Sequence, residues 1–122
     1  MRYAAPLLAV SLALAAPVAA QQQDAVPATP KSIADGAGLY NRSCASCHGK
    51  TGMGDGPAAK QLTPPPSNLV DAEWKHGTSD GEIFAVIRGG VPKTAMKGFA
   101  SKITEREIWD VINYLRSVGP KP

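Results

Sequence analysis

Cysteine is almost missing from this chain of 122 residues, which has two, alongside two histidines and three methionines. A structural zinc site takes four ligands, so it would have to gather every Cys and His of the sequence. Aromatic residues are also scarce, at 6% of the total. Charge of either sign is weak, with 13 Lys and Arg against 10 Asp and Glu, and no basic run or aromatic ladder suggests nucleic acid. No stretch alternates with a period of two, which leaves no strand to predict and makes the fold all-α. Paired acid and base residues, a nucleophile with its base, and a phosphate loop are missing too. The run Gly52-x-Gly54-x-Gly56 has neither a strand before it nor a Lys-Ser or Lys-Thr after it.

Long apolar runs are likewise lacking. The longest, 7–16, is bracketed by Pro6 and Pro17 and falls short of the ~20 residues that span a bilayer. With Arg2 before it and Val18-Ala19-Ala20 after it, this stretch has the layout of a secretory signal peptide at 1–20, cleaved after Ala20. The expected location is periplasmic, with no stable membrane insertion after cleavage. Residues 21–31 are polar, carry Pro27 and Pro30, and read as a flexible arm ahead of one domain at 32–119.

What the chain does have is Cys44-Ala45-Ser46-Cys47-His48. Two thiols three apart, followed at once by an imidazole, is the spacing of c-type haem attachment. On one helical turn the sulfurs reach neighbouring vinyl groups and the imidazole reaches the iron. A thioredoxin-like redox pair needs a βαβ context that the flanks do not offer. A short-loop disulfide would leave a chain this poor in large apolar residues without a core. One covalent haem c would instead fill the centre of a domain with only six aromatics, Tyr40, Trp74, Phe84, Phe99, Trp109 and Tyr114.

The helices are legible from their ends. Ser32 and Asp35 form a capping pattern for a helix that puts Ile33, Gly36, Tyr40 and Ser43 on one face and leads into Cys44. Gly36 and Gly38 are costly inside it, by ~1 kcal/mol each against Ala, so one of them should mark a close helix crossing. The loop 49–57 is rich in glycine and too flexible for an element, and a short helix is expected over 57–62. Pro64-Pro65-Pro66 is a stiff extended wall. A further short helix is expected over 70–74. Ser79 with Glu82 is a capping box for a helix that Gly89-Gly90 stops, and Thr104 with Glu107 is a second one. The last helix carries Ile108, Val111, Ile112 and Leu115 as an apolar stripe, widened by Trp109 and Tyr114, and ends at Gly119-Pro120. An aromatic of this helix crossing the glycine of the first would lock the termini together.

His48 leaves one axial position of the iron. Met96, in a loop well after the haem motif, is the preferred ligand, because His with Met is the pairing of electron carriers. Met53 lies only five residues beyond His48, on the same side of the ring. His76, an open site, Lys93 and Lys97 are the alternatives. Six lysines (Lys50, Lys60, Lys75, Lys93, Lys97 and Lys102) lie between the haem motif and the last helix, and could form one face that steers the protein to an acidic partner.

These residues resemble the class I cytochromes c over nearly all of 31–119. The resemblance rests on Gly36, Tyr40, Cys44-x-x-Cys47-His48, Gly90-x-Pro92-x-x-x-Met96 and the Trp109 to Tyr114 helix. The Gly-x-Gly-Asp-Gly-Pro run at 52–57 is similar to that of small bacterial members. It implies four to five helices around one haem, thioethers from Cys44 and Cys47, axial ligation by His48 and Met96, and Gly36 and Tyr40 packed on Val111 and Tyr114. Pro65, Trp74 and Pro92 are further implied haem contacts. It also implies that a proline carbonyl, one of Pro64, Pro65 and Pro66 or else Pro57, accepts the His48 N–H. The implied role is electron transfer between redox partner proteins, not catalysis. A dedicated haem subunit of a dehydrogenase or oxidase, and a haem enzyme or sensor with a displaceable sixth ligand, are the competing roles.

Overall fold

The computed structural model describes residues 25–72 and 74–120. The expected leader at 1–20 and the start of the arm lie outside them. The helices are α1 (Pro30–Ser43), α2 (Ala45–His48), α3 (Asp80–Gly89) and α4 (Glu105–Val118), with one turn of 3-10 helix at Ala59–Gln61. Among the described residues there is no strand, and Gly90 meets Lys97 in an isolated antiparallel bridge. No helix among them is long and apolar enough to cross a membrane.

α1 starts earlier than its sequence suggested. Thr29 is the N-cap, its side chain accepting from the Ser32 N–H, and Pro30 opens the helix with a φ already suited to it. Ser32 is released from capping because it is needed elsewhere. Its hydroxyl donates to Asp110 Oδ1 at 2.5 Å and accepts from Asn113 Nδ2 at 2.9 Å, both on α4. Asp35 pairs instead with Lys31 on the surface. The buried face of α1 is therefore Ser32, Gly36, Leu39 and Tyr40, turned away from Ile33 and Ser43. Asn113 also donates to the Val26 and Pro27 carbonyls, so the end of the arm is tied to α4.

α1 and α4 cross in close contact at Gly36. A Cβ on Gly36 would overlap the Asp110 carbonyl and stand 2.9 Å from the Val111 nitrogen. It is backbone, not an aromatic ring, that lies over Gly36. The aromatics meet one turn along, where the Tyr40 and Tyr114 rings are 5.2 Å apart. Gly38 has no such neighbour, only the Arg42 side chain at 3.4 Å.

Both expected capping boxes form, Ser79 with Glu82 and Thr104 with Glu107. Backbone and hydroxyl donors at the caps hold both glutamates below their usual pKa. α3 packs on α4, where Phe84 stacks on Trp109 at 4.9 Å, and makes no helix contact with α1 or α2. That separation leaves the centre of the fold open on one side. The expected helix over 70–74 does not form among the described residues, of which 70–72 are bends and Trp74 is irregular, and the one at 57–62 shrinks to the 3-10 turn. The glycine loop is neither helix nor strand, but it is firmly tied. Gly54, Gly56 and Ala58 donate their N–H groups to His48, Cys47 and Ser46, satisfying carbonyls at the end of α2 that would otherwise lack partners.

Candidate haem site

A cavity of about 320 Å³ is lined by residues of α1, α2, α3 and α4 and of the loops between them. Cys44, Cys47 and His48 enter its wall because α1 breaks at Cys44 and restarts as a single turn, and because Gly49, at φ +83°, turns the chain away immediately after the imidazole. Met96, Pro65 and Trp74 line the same cavity, and so does His76. Pro92 does not. It is exposed in the turn that leads to Met96. Met53 is 55% exposed and stands outside.

The two thiols are free and half-buried. Burial, and then the neighbouring Cys47, push the Cys44 thiol up to about 11. A thiol that stays protonated is a poor redox nucleophile by itself. His48 Nδ1 lies 2.9 Å from the Ser67 carbonyl. A carbonyl can only accept, so Nδ1 carries the proton and Nε2 keeps its lone pair free. Burial lowers the His48 pKa, partly offset by that bond, which favours the neutral, ligating ring. The acceptor is thus neither Pro57 nor any of Pro64, Pro65 and Pro66. The proline wall is pinned to the glycine loop by the Leu69 N–H donating to Gly52 at 2.6 Å, and that register sets Ser67 opposite the imidazole.

The loop of Met96 is organised by Thr94. Its hydroxyl donates to the Val91 carbonyl at 2.8 Å and accepts from the Met96 N–H at 3.1 Å, while Val91 N–H donates to the Met96 carbonyl. Lys93 adopts φ +61°, a conformation uncommon outside glycine. On the opposite side of the site, the Tyr40 hydroxyl donates to the Gly49 carbonyl at 2.7 Å, and burial raises its pKa.

The cavity fits a haem on two observations. Its walls are largely apolar, with Leu62, Ile83, Val86, Ile87, Val91 and Phe99 among them. Its buried Trp74 indole N–H has no partner among the described residues. An orphaned buried donor is costly, by ~1 to 3 kcal/mol, unless an acceptor arrives, and a haem carboxylate is such an acceptor. Ser67, Thr94 and Arg116, which lies over the Trp74 ring, escaped the sequence because each acts through a contact made only on folding. Thr94 alone carried a signal, as a hydroxyl two residues before Met96.

A family model described as Cytochrome C oxidase, cbb3-type, subunit III matches residues 31–115. The Cbb3-type cytochrome c oxidase subunit CcoP of Rubrivivax gelatinosus is 28% identical over 102 residues, an alignment covering 84% of this chain and 31% of that protein. The chain therefore spans about a third of the length of that curated relative. A chain of the Kuenenia stuttgartiensis reducing HAO-like protein complex superposes with a TM-score of 0.73 at 26% identity, covering 80% of this chain and 48% of the other. The structure of the KustC0563 c-type cytochrome superposes at 0.54 with 32% identity, covering 70% of this chain and 98% of the other.

Proposed function

This chain belongs to the cbb3-type cytochrome c oxidase subunit III family and has the class I cytochrome c fold, and on that premise we propose that it carries single electrons between periplasmic redox proteins. One haem c would be held by Cys44 and Cys47 through thioethers, with His48 and Met96 as the side chains that would ligate its iron. When bound, it supplies a one-electron iron couple. His48 brings a neutral imidazole whose orientation and basicity are set by Ser67. Met96 brings a soft thioether that favours the reduced metal, on a loop fixed by Thr94. With His48 and Met96 both committed to the iron, the site would offer electron transfer rather than catalysis. The apolar wall keeps water out, and Trp74 offers its N–H to a carboxylate at the cavity edge.

The observation that carries this proposal is that two thiols, one imidazole with its proton committed to Ser67, and one thioether share a single apolar cavity. Lys75, Lys97 and Lys102 line it as well. Their charge steers the protein toward acidic partner surfaces, and salt weakens that attraction. A second role, as the haem subunit of a larger redox enzyme, is favoured by the oxidase and complex names of its relatives. Against it stands the KustC0563 structure, almost all of which corresponds to this chain. Co-purification with a larger catalytic chain separates the two.

Met ligation gives the oxidised protein a weak absorption band near the red edge of the visible. The Met96→Ala variant is expected to lose that band and to bind carbon monoxide rapidly when reduced. His76→Ala is expected to keep the band. Retention of the band by Met96→Ala, or rapid carbon monoxide binding by the reduced wild type, contradicts the assigned ligand.

A further inference from the structure

Trp74 offers the cavity a donor, yet its own segment does little to hold it. Among the described residues, no backbone-to-backbone hydrogen bond ties 71–77 to the rest of the fold. The ring is backed instead by the far end of α4. The Arg116 guanidinium lies 5.3 Å from the Trp74 ring centroid, with its side chain only 11% exposed. Its Nε donates to Asp80 Oδ1 at 2.7 Å, its Nη1 to the Pro120 carbonyl at 2.8 Å, and its Nη2 to the Thr78 carbonyl. These three anchors fix the plane of the fork and leave its face for the indole. A lysine could supply the charge but not the plane.

We infer that Arg116 is a positioning residue for the haem site: clamped by Asp80, Thr78 and Pro120, it holds the Trp74 ring so that the indole N–H points at a haem carboxylate. The inference rests on the haem reading above. The clamp ties Arg116 of α4 to Pro120 just beyond that helix and to Thr78 and Asp80 at the entry to α3, so the carboxylate contact is set by how these two helices are held together. Trp74 thereby acts as a relay between the α3–α4 junction and the edge of the cofactor.

The test uses the reduced holoprotein labelled with nitrogen-15. The chain has two tryptophans, so Trp74→Phe assigns both indole signals by difference. In Arg116→Gln, the Trp74 indole proton is expected to exchange with solvent on the order of tenfold faster, as loss of a desolvated cation–π contact would allow. The Trp109 indole, stacked on Phe84, should be unchanged. The midpoint potential should move in the same direction in Arg116→Gln and Trp74→Phe, and the double variant should move no further than Trp74→Phe alone. Unaltered Trp74 exchange, or additive shifts in potential, would overturn the inference. If Arg116→Gln does not load haem, Asp80→Ala, which keeps the guanidinium but removes one anchor, is read in the same way. A wild-type protein without haem absorbance would instead overturn the functional proposal itself.

Discussion

Replacing Gly36 with alanine is expected to destabilise the holoprotein by about 3 kcal/mol, at the upper end of what overpacking usually costs. The added methyl group would overlap the Asp110 carbonyl and crowd the Val111 nitrogen. Both are backbone atoms of α4, so no side-chain rotation relieves the clash and the helices must part. Their separation would also strain the buried set formed by Ser32, Asp110 and Asn113. For a domain of this size the melting temperature should fall by roughly 10 to 20 °C. Gly38→Ala is the internal control, since only the flexible end of Arg42 lies near its Cβ. It should leave stability unchanged or raise it by up to about 1 kcal/mol, because alanine has less conformational freedom to lose in a helix. Thermal unfolding of the two variants side by side checks this, and equal melting points would show that the crossing is looser than described.

The Cys44→Ala, Cys47→Ala double variant should be affected more severely. If haem is attached through these thiols, its loss would leave unfilled a cavity of about 320 Å³ in a fold whose α3 touches only α4 among the helices. Leaving its apolar lining unpacked removes much of the contact that offsets the entropy of ordering the chain. Domains of this kind are typically stable by only about 5 to 15 kcal/mol. The double variant is therefore expected to lose haem on denaturing gels and to show no cooperative thermal transition by far-ultraviolet circular dichroism. A transition at the wild-type temperature would mean that the protein part closes without its guest.

Features carried by short-range chemistry were legible in the sequence. Ser79 with Glu82 and Thr104 with Glu107 specify helix starts within four residues, and both form as written. Gly36 could be recognised as costly, and the structure supplies the reason in the backbone of α4. Features decided across the chain were not legible. Ser32 has the right residue three positions on to act as a cap, yet Asp110, 78 residues away, takes its hydroxyl and leaves the capping to Thr29. The same holds for the imidazole partner. The family resemblance implied a proline carbonyl, whereas the bond from Leu69 to Gly52 sets Ser67 in place. Cys44, Cys47, His48 and Met96 stood out in the sequence because the type and spacing of their side chains are unusual, and all four line one cavity. Arg116 was missed because an arginine near the end of an amphipathic helix is ordinary until Trp74 is folded beneath it.

Intact-mass spectrometry of the purified protein under denaturing conditions tests covalent haem attachment most directly. The expected species is heavier than its polypeptide by one haem, and the Cys44→Ala, Cys47→Ala variant lacks that increment. A wild-type chain with the mass of its amino acids alone would contradict the account.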